Sequence, residues 1–193
     1  NGKKIITNSG YYDKNYKLNK FSKSSAAHNV LTIDDNSSCK FKDKENHKLE
    51  LKNSLKITKK KIIFEKDLWR INIGHNGYQK KYNLLYERDI RFYPEENKLV
   101  GLDKIISKKK ILNLKFDIRF HLEPSSKIMK TLDNKSIFIE LEDEGWKFTC
   151  DGFNINIDNG LYFGKKNSYT ENQNIFISGI TSNQNENVIW HLS

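Results

Sequence analysis

The residues best equipped for chemistry gather near the start of the chain, where Asn8-Ser9-Gly10-Tyr11-Tyr12 is followed by Lys23 and then by Ser24-Ser25-Ala26-Ala27-His28-Asn29. An imidazole titrates near neutral pH and can act as base, acid or metal ligand. His28 stands beside two alanines, just before the apolar Val30-Leu31, so no bulky neighbour in the sequence shields its ring. A lone histidine is also at home as a hydrogen-bonded structural residue, and residue types alone leave both readings open. The spacing carries no nucleophile triad, phosphate loop or closed zinc set. His75 beside Asn76-Gly77 reads as a turn residue, while His47 in a charged loop and His191 near the end have no partner visible in the sequence. Arg88 and Arg91 lie three apart, so on a strand they face opposite ways and cannot jointly clamp one carboxylate. Cys39 and Cys150 have no second cysteine at metal or redox spacing, and free, partly buried thiols are expected.

These groups belong to a basic chain of 193 residues, with 34 Lys and Arg against 24 acidic residues and a net charge of +10. Almost all of that charge is lysine, with arginine only at Arg70, Arg88, Arg91 and Arg119. Lys, Asn and Ile are enriched together, as an A/T-rich coding sequence produces, so the charge reads first as a solvated surface. A nucleic-acid binder should show arginine clusters, stacking aromatics or a reading motif. The runs Lys59-Lys60-Lys61 and Lys108-Lys109-Lys110 fall instead where turns are expected. No nucleic-acid partner is expected, and an acidic polysaccharide is compatible with the charge. No stretch reaches the roughly 18–20 apolar residues that span a bilayer. The chain opens on Asn1 and enters a strand-like pattern at Lys3-Lys4-Ile5-Ile6-Thr7, which suggests a piece of a longer polypeptide whose export signals would not be visible.

The elements that must position these groups are strands. Leu112, Leu114, Phe116, Ile118, Phe120 and Leu122 alternate with Asn113, Lys115, Asp117, Arg119 and His121, placing the first set on one face and His121 on the polar other. Shorter alternating runs recur along the chain, separated by turn formers such as Pro94-Glu95-Glu96-Asn97, Asp143-Glu144-Gly145 and Ser182-Asn183-Gln184-Asn185. Two hairpins can be named. Ile90–Tyr93 pairs with Lys98–Leu102, and Ser136–Leu141 with Gly145–Cys150, which sets Ile137 and Ile139 on one face with Trp146 and Phe148. No helical stripe is convincing. The pattern predicts an all-β, antiparallel two-sheet β-sandwich, with residues 1–193 as a single domain.

The milestones along the chain give it a resemblance. A strand ends in Asn8-Ser9-Gly10; the Ser24–Asn29 box continues as Leu31-Thr32-Ile33-Asp34-Asp35-Asn36-Ser37-Ser38; then comes His75-Asn76-Gly77-Tyr78. Glu87-Arg88, Gly101-Leu102-Asp103, Arg119-Phe120-His121-Leu122-Glu123-Pro124, Gly145-Trp146-Lys147-Phe148 and Trp190 follow in order. With these the chain resembles the C-terminal β-domain of the heparinase II/III-like polysaccharide lyases, bacterial members of unassigned substrate in particular. The alanine-alanine-histidine box and the histidine-any-glycine-tyrosine segment are its more specific parts.

The resemblance implies eliminative cleavage of a uronate-containing acidic polysaccharide, which needs a carboxylate neutraliser, a base and an acid. In the family the Tyr, His and Asn residues that do this come mainly from an N-terminal helical toroid. The toroid is not in this chain, so no catalytic residue is expected here and the chain alone should be inactive. Tyr11, Tyr12, Lys23 and Asn29 are the substrate-binding candidates, as one wall of a cleft. The family also carries a metal site, usually zinc, whose ligands transfer to His28 and Asn8, with a third histidine upstream of Asn1. Asn8 replaces the usual Asp, and an amide oxygen is a far weaker zinc ligand than a carboxylate. That site is expected to be vacant or rebuilt as hydrogen bonds between Asn8 and His28. A periplasmic or cell-envelope location follows from the family alone. The alternative is a non-catalytic carbohydrate-binding or structural module.

Overall fold

The computed structural model describes residues 3–44, 49–52, 55–107, 113–165, 168–182 and 185–193. Leu112, Lys108–Lys110, His47, Asn183 and Gln184 from the sequence reading lie outside them. In chain order the elements are β1 (Ile6–Thr7), α1 (Tyr16–Ser22), a 3-10 turn (Ser25–Ala27), β2 (Leu31–Ile33), β3 (Phe41–Asp43), β4 (Leu49–Leu51), β5 (Ile57–Phe64), β6 (Trp69–His75) and α2 (Gln79–Tyr82). These are followed by β7 (Leu85–Tyr93), β8 (Lys98–Ile106), β9 (Lys115–Leu122), β10 (Lys127–Lys130), β11 (Ser136–Leu141), β12 (Glu144–Cys150), β13 (Asn154–Tyr162), β14 (Thr170–Ile180) and β15 (Asn185–Leu192). One sheet runs β1-β9-β14-β13, with β2 also paired to β9; the other runs β10-β11-β12-β15-β8-β7-β6-β5. All of their pairings are antiparallel, so the mainly β, sandwich-like fold agrees with the alternation.

Hydrophobic burial between the two inner faces holds the layers together. Phe116, Ile118, Phe120 and Leu122 of β9 meet Ile137, Ile139, Phe148, Val188 and Trp190 of the opposite sheet in one core. The Phe120 ring centroid lies 5.0 Å from Phe148 and 4.8 Å from Trp190. Each such side chain contributes about 1.5–3 kcal/mol by leaving water. Both named hairpins form, with Phe92 opposite Leu99 in one and Ile137 opposite Phe148 and Ile139 opposite Trp146 in the other. Asn97 takes a left-handed φ of 48° and Glu142 one of 56°, as tight turns require.

Two local expectations need correction, and a third reading left open is decided. Lys59, Lys60 and Lys61 lie within β5, the outermost strand of its sheet, and not in a turn. Lysines on such an edge discourage pairing with a further strand. The N-terminal polar stretch contains a short helix, α1, whose first turn is capped by Asn15 Oδ1 accepting from Leu18 N–H at 3.1 Å. The polar face of β9 is not solvated: Asp117 and His121 are only 4% and 1% exposed. Residues 9–29 fold back over His121, while Asp117 accepts from Ser178 Oγ at 2.5 Å. The larger sheet is also the wider layer, and its core-side residues Ile62, Ile71 and Ile73 on β5 and β6 remain exposed.

Candidate functional site

The box at 24–29 is built by short-range hydrogen bonding. Ala27 N–H donates to Ser24 O at 3.1 Å and His28 N–H to Ser25 O at 3.0 Å, which turns the chain so that Ala27 is fully buried while His28 stays half-buried. Ser25 is tied to the next loop: its N–H donates to Ser37 Oγ at 2.9 Å, and its hydroxyl accepts from Ser38 N–H at 3.0 Å. That loop is supported in turn by the histidine-any-glycine-tyrosine segment. A Cβ on Gly77 would lie 2.7 Å from the Ser38 carbonyl oxygen, so only glycine admits this approach. Buried Tyr78 donates its hydroxyl to the Leu31 carbonyl and, at 3.4 Å, to that of Asn36. His75 Nδ1 accepts from Gly77 N–H at 3.2 Å, in keeping with the structural role read from its turn. The two more specific sequence motifs are thus two sides of one packed unit.

His121 is the residue that sequence reasoning left out of the site. Its Nε2 lies 3.0 Å from the Ala26 carbonyl and its Nδ1 3.1 Å from Ser9 Oγ. A carbonyl can only accept, so Nε2 carries the proton and Ser9 donates to Nδ1. Burial lowers the pKa of this imidazole to about 4, against the smaller opposing effect of the Ala26 hydrogen bond. His121 is therefore a neutral strut. Burial also lowers the pKa of His28, partly offset by a hydrogen bond with the Ser22 backbone. The alternation put His121 on the polar face, but nothing in the sequence marked what would cover it.

Asn29 joins this strut to the core. Its Oδ1 accepts from His121 N–H at 2.7 Å, its Nδ2 donates to the Thr7 carbonyl at 2.5 Å, and its own carbonyl accepts from Arg88. Arg88 holds Asp103 bidentately, with Nε to Oδ1 at 2.6 Å and an outer nitrogen to Oδ2 at 3.0 Å. Trp190 Nε1 donates to Asp103 Oδ2 at 2.8 Å, and the Tyr86 hydroxyl donates to Oδ1. The Arg88 guanidinium lies 5.4 Å from the Phe120 ring centroid. Burial works to lower the arginine's pKa, yet the Asp103 carboxylate outweighs it and the net shift is upward. Arg91 instead shares Asp89 with Arg70, so the two arginines of β7 do serve different carboxylates. Burial works to raise the Asp89 pKa, but hydrogen bonds from Arg70 and Arg91 prevail and hold it near 2.

The remaining candidates divide. Tyr11 is exposed, and the Lys23 ammonium lies 5.6 Å from its ring centroid and 5.8 Å from that of Phe41. These two side chains present an aromatic and cationic face. Tyr12 packs on Phe163 at 5.3 Å and Tyr169 at 6.2 Å between ring centroids. Asn29 spends both ends of its amide inside the protein, as described above. Asn8 is exposed, and among the described residues no hydrogen bond joins it to His28, so the expected rebuilt contact does not form. For the zinc that the family implies, His28 and Asn8 supply one imidazole and one neutral amide, and the ring nitrogens of nearby His121 are already committed. Among the described residues no cluster of three His, Cys, Asp or Glu could hold a metal. The donor set of the described residues does not fit zinc. Cys39 and Cys150 are both free, and burial pushes the Cys150 thiol up to about 12.

Comparison with known proteins bears on this arrangement. The chain superposes on heparan sulfate lyase HepC from Pedobacter heparinus with a TM-score of 0.77 and 13% identity, covering 99% of this chain and 28% of that one. It superposes on a heparinase III with a TM-score of 0.69 and 16% identity, covering 100% of this chain and 28% of the other. At such identities the likeness shows the fold, and the chain spans only about a quarter of either protein. A comparison with curated proteins finds no match. The family model described as "Heparinase II/III-like, C-terminal" matches residues 1–191, and by that match the chain belongs to the heparinase II/III-like family as its C-terminal domain.

Proposed function

We propose that this domain forms one wall of the substrate cleft in a lyase that cleaves uronate-containing acidic polysaccharide by β-elimination. The observation that carries the reading is the family match over residues 1–191. The exposed Tyr11 ring with Lys23 beside it supports it: an aromatic face for a sugar ring and a cation for its carboxylate. In the reaction a base removes the proton alpha to the uronate carboxylate. The carbon–oxygen bond to the leaving sugar then breaks, a carbon–carbon double bond forms in the uronate ring, and an acid protonates the departing oxygen. The base and acid belong to a helical domain N-terminal to this one, and the β-domain's part is to hold and neutralise the substrate. No step is assigned to a metal held by Asn8 and His28. A periplasmic or cell-envelope location in a bacterium goes with this reading.

The test is the ultraviolet absorbance of unsaturated uronate ends when the intact protein is given heparin-like, chondroitin-like and alginate-like substrates. Product is expected on at least one of them, and none from residues 1–193 alone. Silence of the intact protein on all three would sink the enzymatic reading. A second reading, a carbohydrate-binding module without chemistry, is favoured by the neutral Asn8 where the family places an acid. It would then be supported by glycan binding without product.

A further inference from the structure

A cavity of about 820 Å³ opens between the loop after β2, the β3–β4 hairpin and α2, and includes none of Asn8, Tyr11, Tyr12, Lys23, His28 or Asn29. Its volume lies within the about 300–1,000 Å³ of ordinary ligand sites. Four lysines line it, Lys40, Lys52, Lys80 and Lys81, and among the described residues no carboxylate or arginine does. They arrive from two separate elements. Lys40 and Lys52 are adjacent across the hairpin, where Lys52 N–H donates to the Lys40 carbonyl at 2.7 Å, and Lys80 and Lys81 come from α2. Lys81 is already oriented, its ammonium donating to Asn36 Oδ1 at 2.8 Å and lying 4.8 Å from the Tyr82 ring centroid. Lys40, Lys52 and Lys80 make no ion pair with any described residue. Like charges gathered on one concavity repel one another, and an anion entering it relieves that repulsion.

The kind of anion follows from the side chains. Arginine's fork serves carboxylates and tetrahedral oxyanions alike, whereas several separate lysines act as point charges, an arrangement that matches oxygens spread over a tetrahedral group better than the two of one carboxylate. Ser37, Asn76 and Gln79 add neutral hydrogen-bonding groups to the wall. We propose that this cavity binds a sulfate-bearing saccharide, as an anion site separate from the Tyr11 and Lys23 face. The inference rests on the polysaccharide reading above for the source of the sulfate, while the tetrahedral oxyanion itself rests on the lysines.

The experiment is calorimetric titration of the intact protein with a trisulfated heparin disaccharide, which is already an end product of elimination. The comparison ligands are the unsulfated disaccharide, which keeps its carboxylate, and inorganic phosphate. The sulfated disaccharide is expected to bind at least about tenfold tighter than either. The triple variant Lys40→Gln/Lys52→Gln/Lys80→Gln should lose about tenfold or more of that affinity, and exposed Lys80→Gln alone should lose part of it. Lys60→Gln/Lys61→Gln/Lys66→Gln, which removes the same charge elsewhere, should stay within about twofold. Equal losses in both triple variants would mean that net charge alone attracts the ligand, and would overturn the site. No preference for the sulfated disaccharide, or phosphate binding as tightly as it does, would overturn the assignment too. Since no turnover is involved, absent lyase activity with this binding intact would count against the enzymatic reading alone.

Discussion

At the scale of single residues, the buried polar groups set this domain's dependence on pH and on sequence. His121 takes up a proton near 6.5 when unfolded and only near 4 when folded, so between these values the unfolded chain holds more protons. The stability that neutral His121 contributes is complete above pH 6.5 and is lost as the pH falls toward 4, by about 3 kcal/mol in all. Urea titrations stepped across that range should show the loss in the native protein, and a His121→Gln variant should show a flatter acid limb. An unchanged limb would mean that the imidazole is not buried neutral. Asp103 gives the second prediction. Asp103→Ala leaves Arg88, Trp190 Nε1 and the Tyr86 hydroxyl without their shared acceptor, at a cost of about 3–5 kcal/mol in chemical denaturation. The pair Arg88→Met with Asp103→Leu should be less destabilised than Asp103→Ala, since no buried charge then stands alone.

At the scale of elements, the two motif segments act as one unit because Gly77 lets α2 and its flanking turn close on the loop that carries Ser37 and Ser38. Gly77→Ala forces a Cβ to within 2.7 Å of a backbone oxygen, so the loop and Ser25 must shift. The expected cost is about 1–3 kcal/mol, or a fall in melting temperature of roughly 2–4 °C for each kcal/mol. Amide exchange at Ser25 and Ser38 should accelerate more than exchange in β8 or β9. Uniform acceleration would place the damage in the core instead. Most sheet elements were legible from alternation, since period two is visible wherever one face is apolar, but β5 was not, because its Lys59-Lys60-Lys61 run shows no alternating face. Helix α1 was not, because seven residues hold too few turns for a stripe, and its clearest mark is the single cap at Asn15.

At the scale of the whole molecule, a sandwich held by apolar burial carries a charged exterior that can vary with little effect on the fold. The Lys-rich surface should govern attraction to acidic polysaccharide. Retention on a sulfated matrix is expected to fall steeply between about 0.1 M and about 1 M salt, as the screening length shrinks from about 10 Å to about 3 Å. The melting temperature should change far less over the same range, because the Phe120, Phe148 and Trp190 cluster and the enclosed Arg88–Asp103 pair are poorly reached by ions. Retention that ignores salt would show that contacts other than charge hold the polymer.

The amino-acid sequence alone determined the layered β architecture, the two hairpins, the opposite facing of Arg88 and Arg91, and the order of motifs, all of which depend on neighbours a few residues apart. Only the tertiary structure decided that His121 is a buried strut, that Asn29 serves the backbone of Thr7 and His121, and that Asp103 collects three donors around its carboxylate. It also decided that Lys40 and Lys52 share a cavity with Lys80 and Lys81. Each of these unites groups from separate elements of the fold. Periodicity says which face of a strand a residue takes, while what then covers that face depends on how distant segments pack.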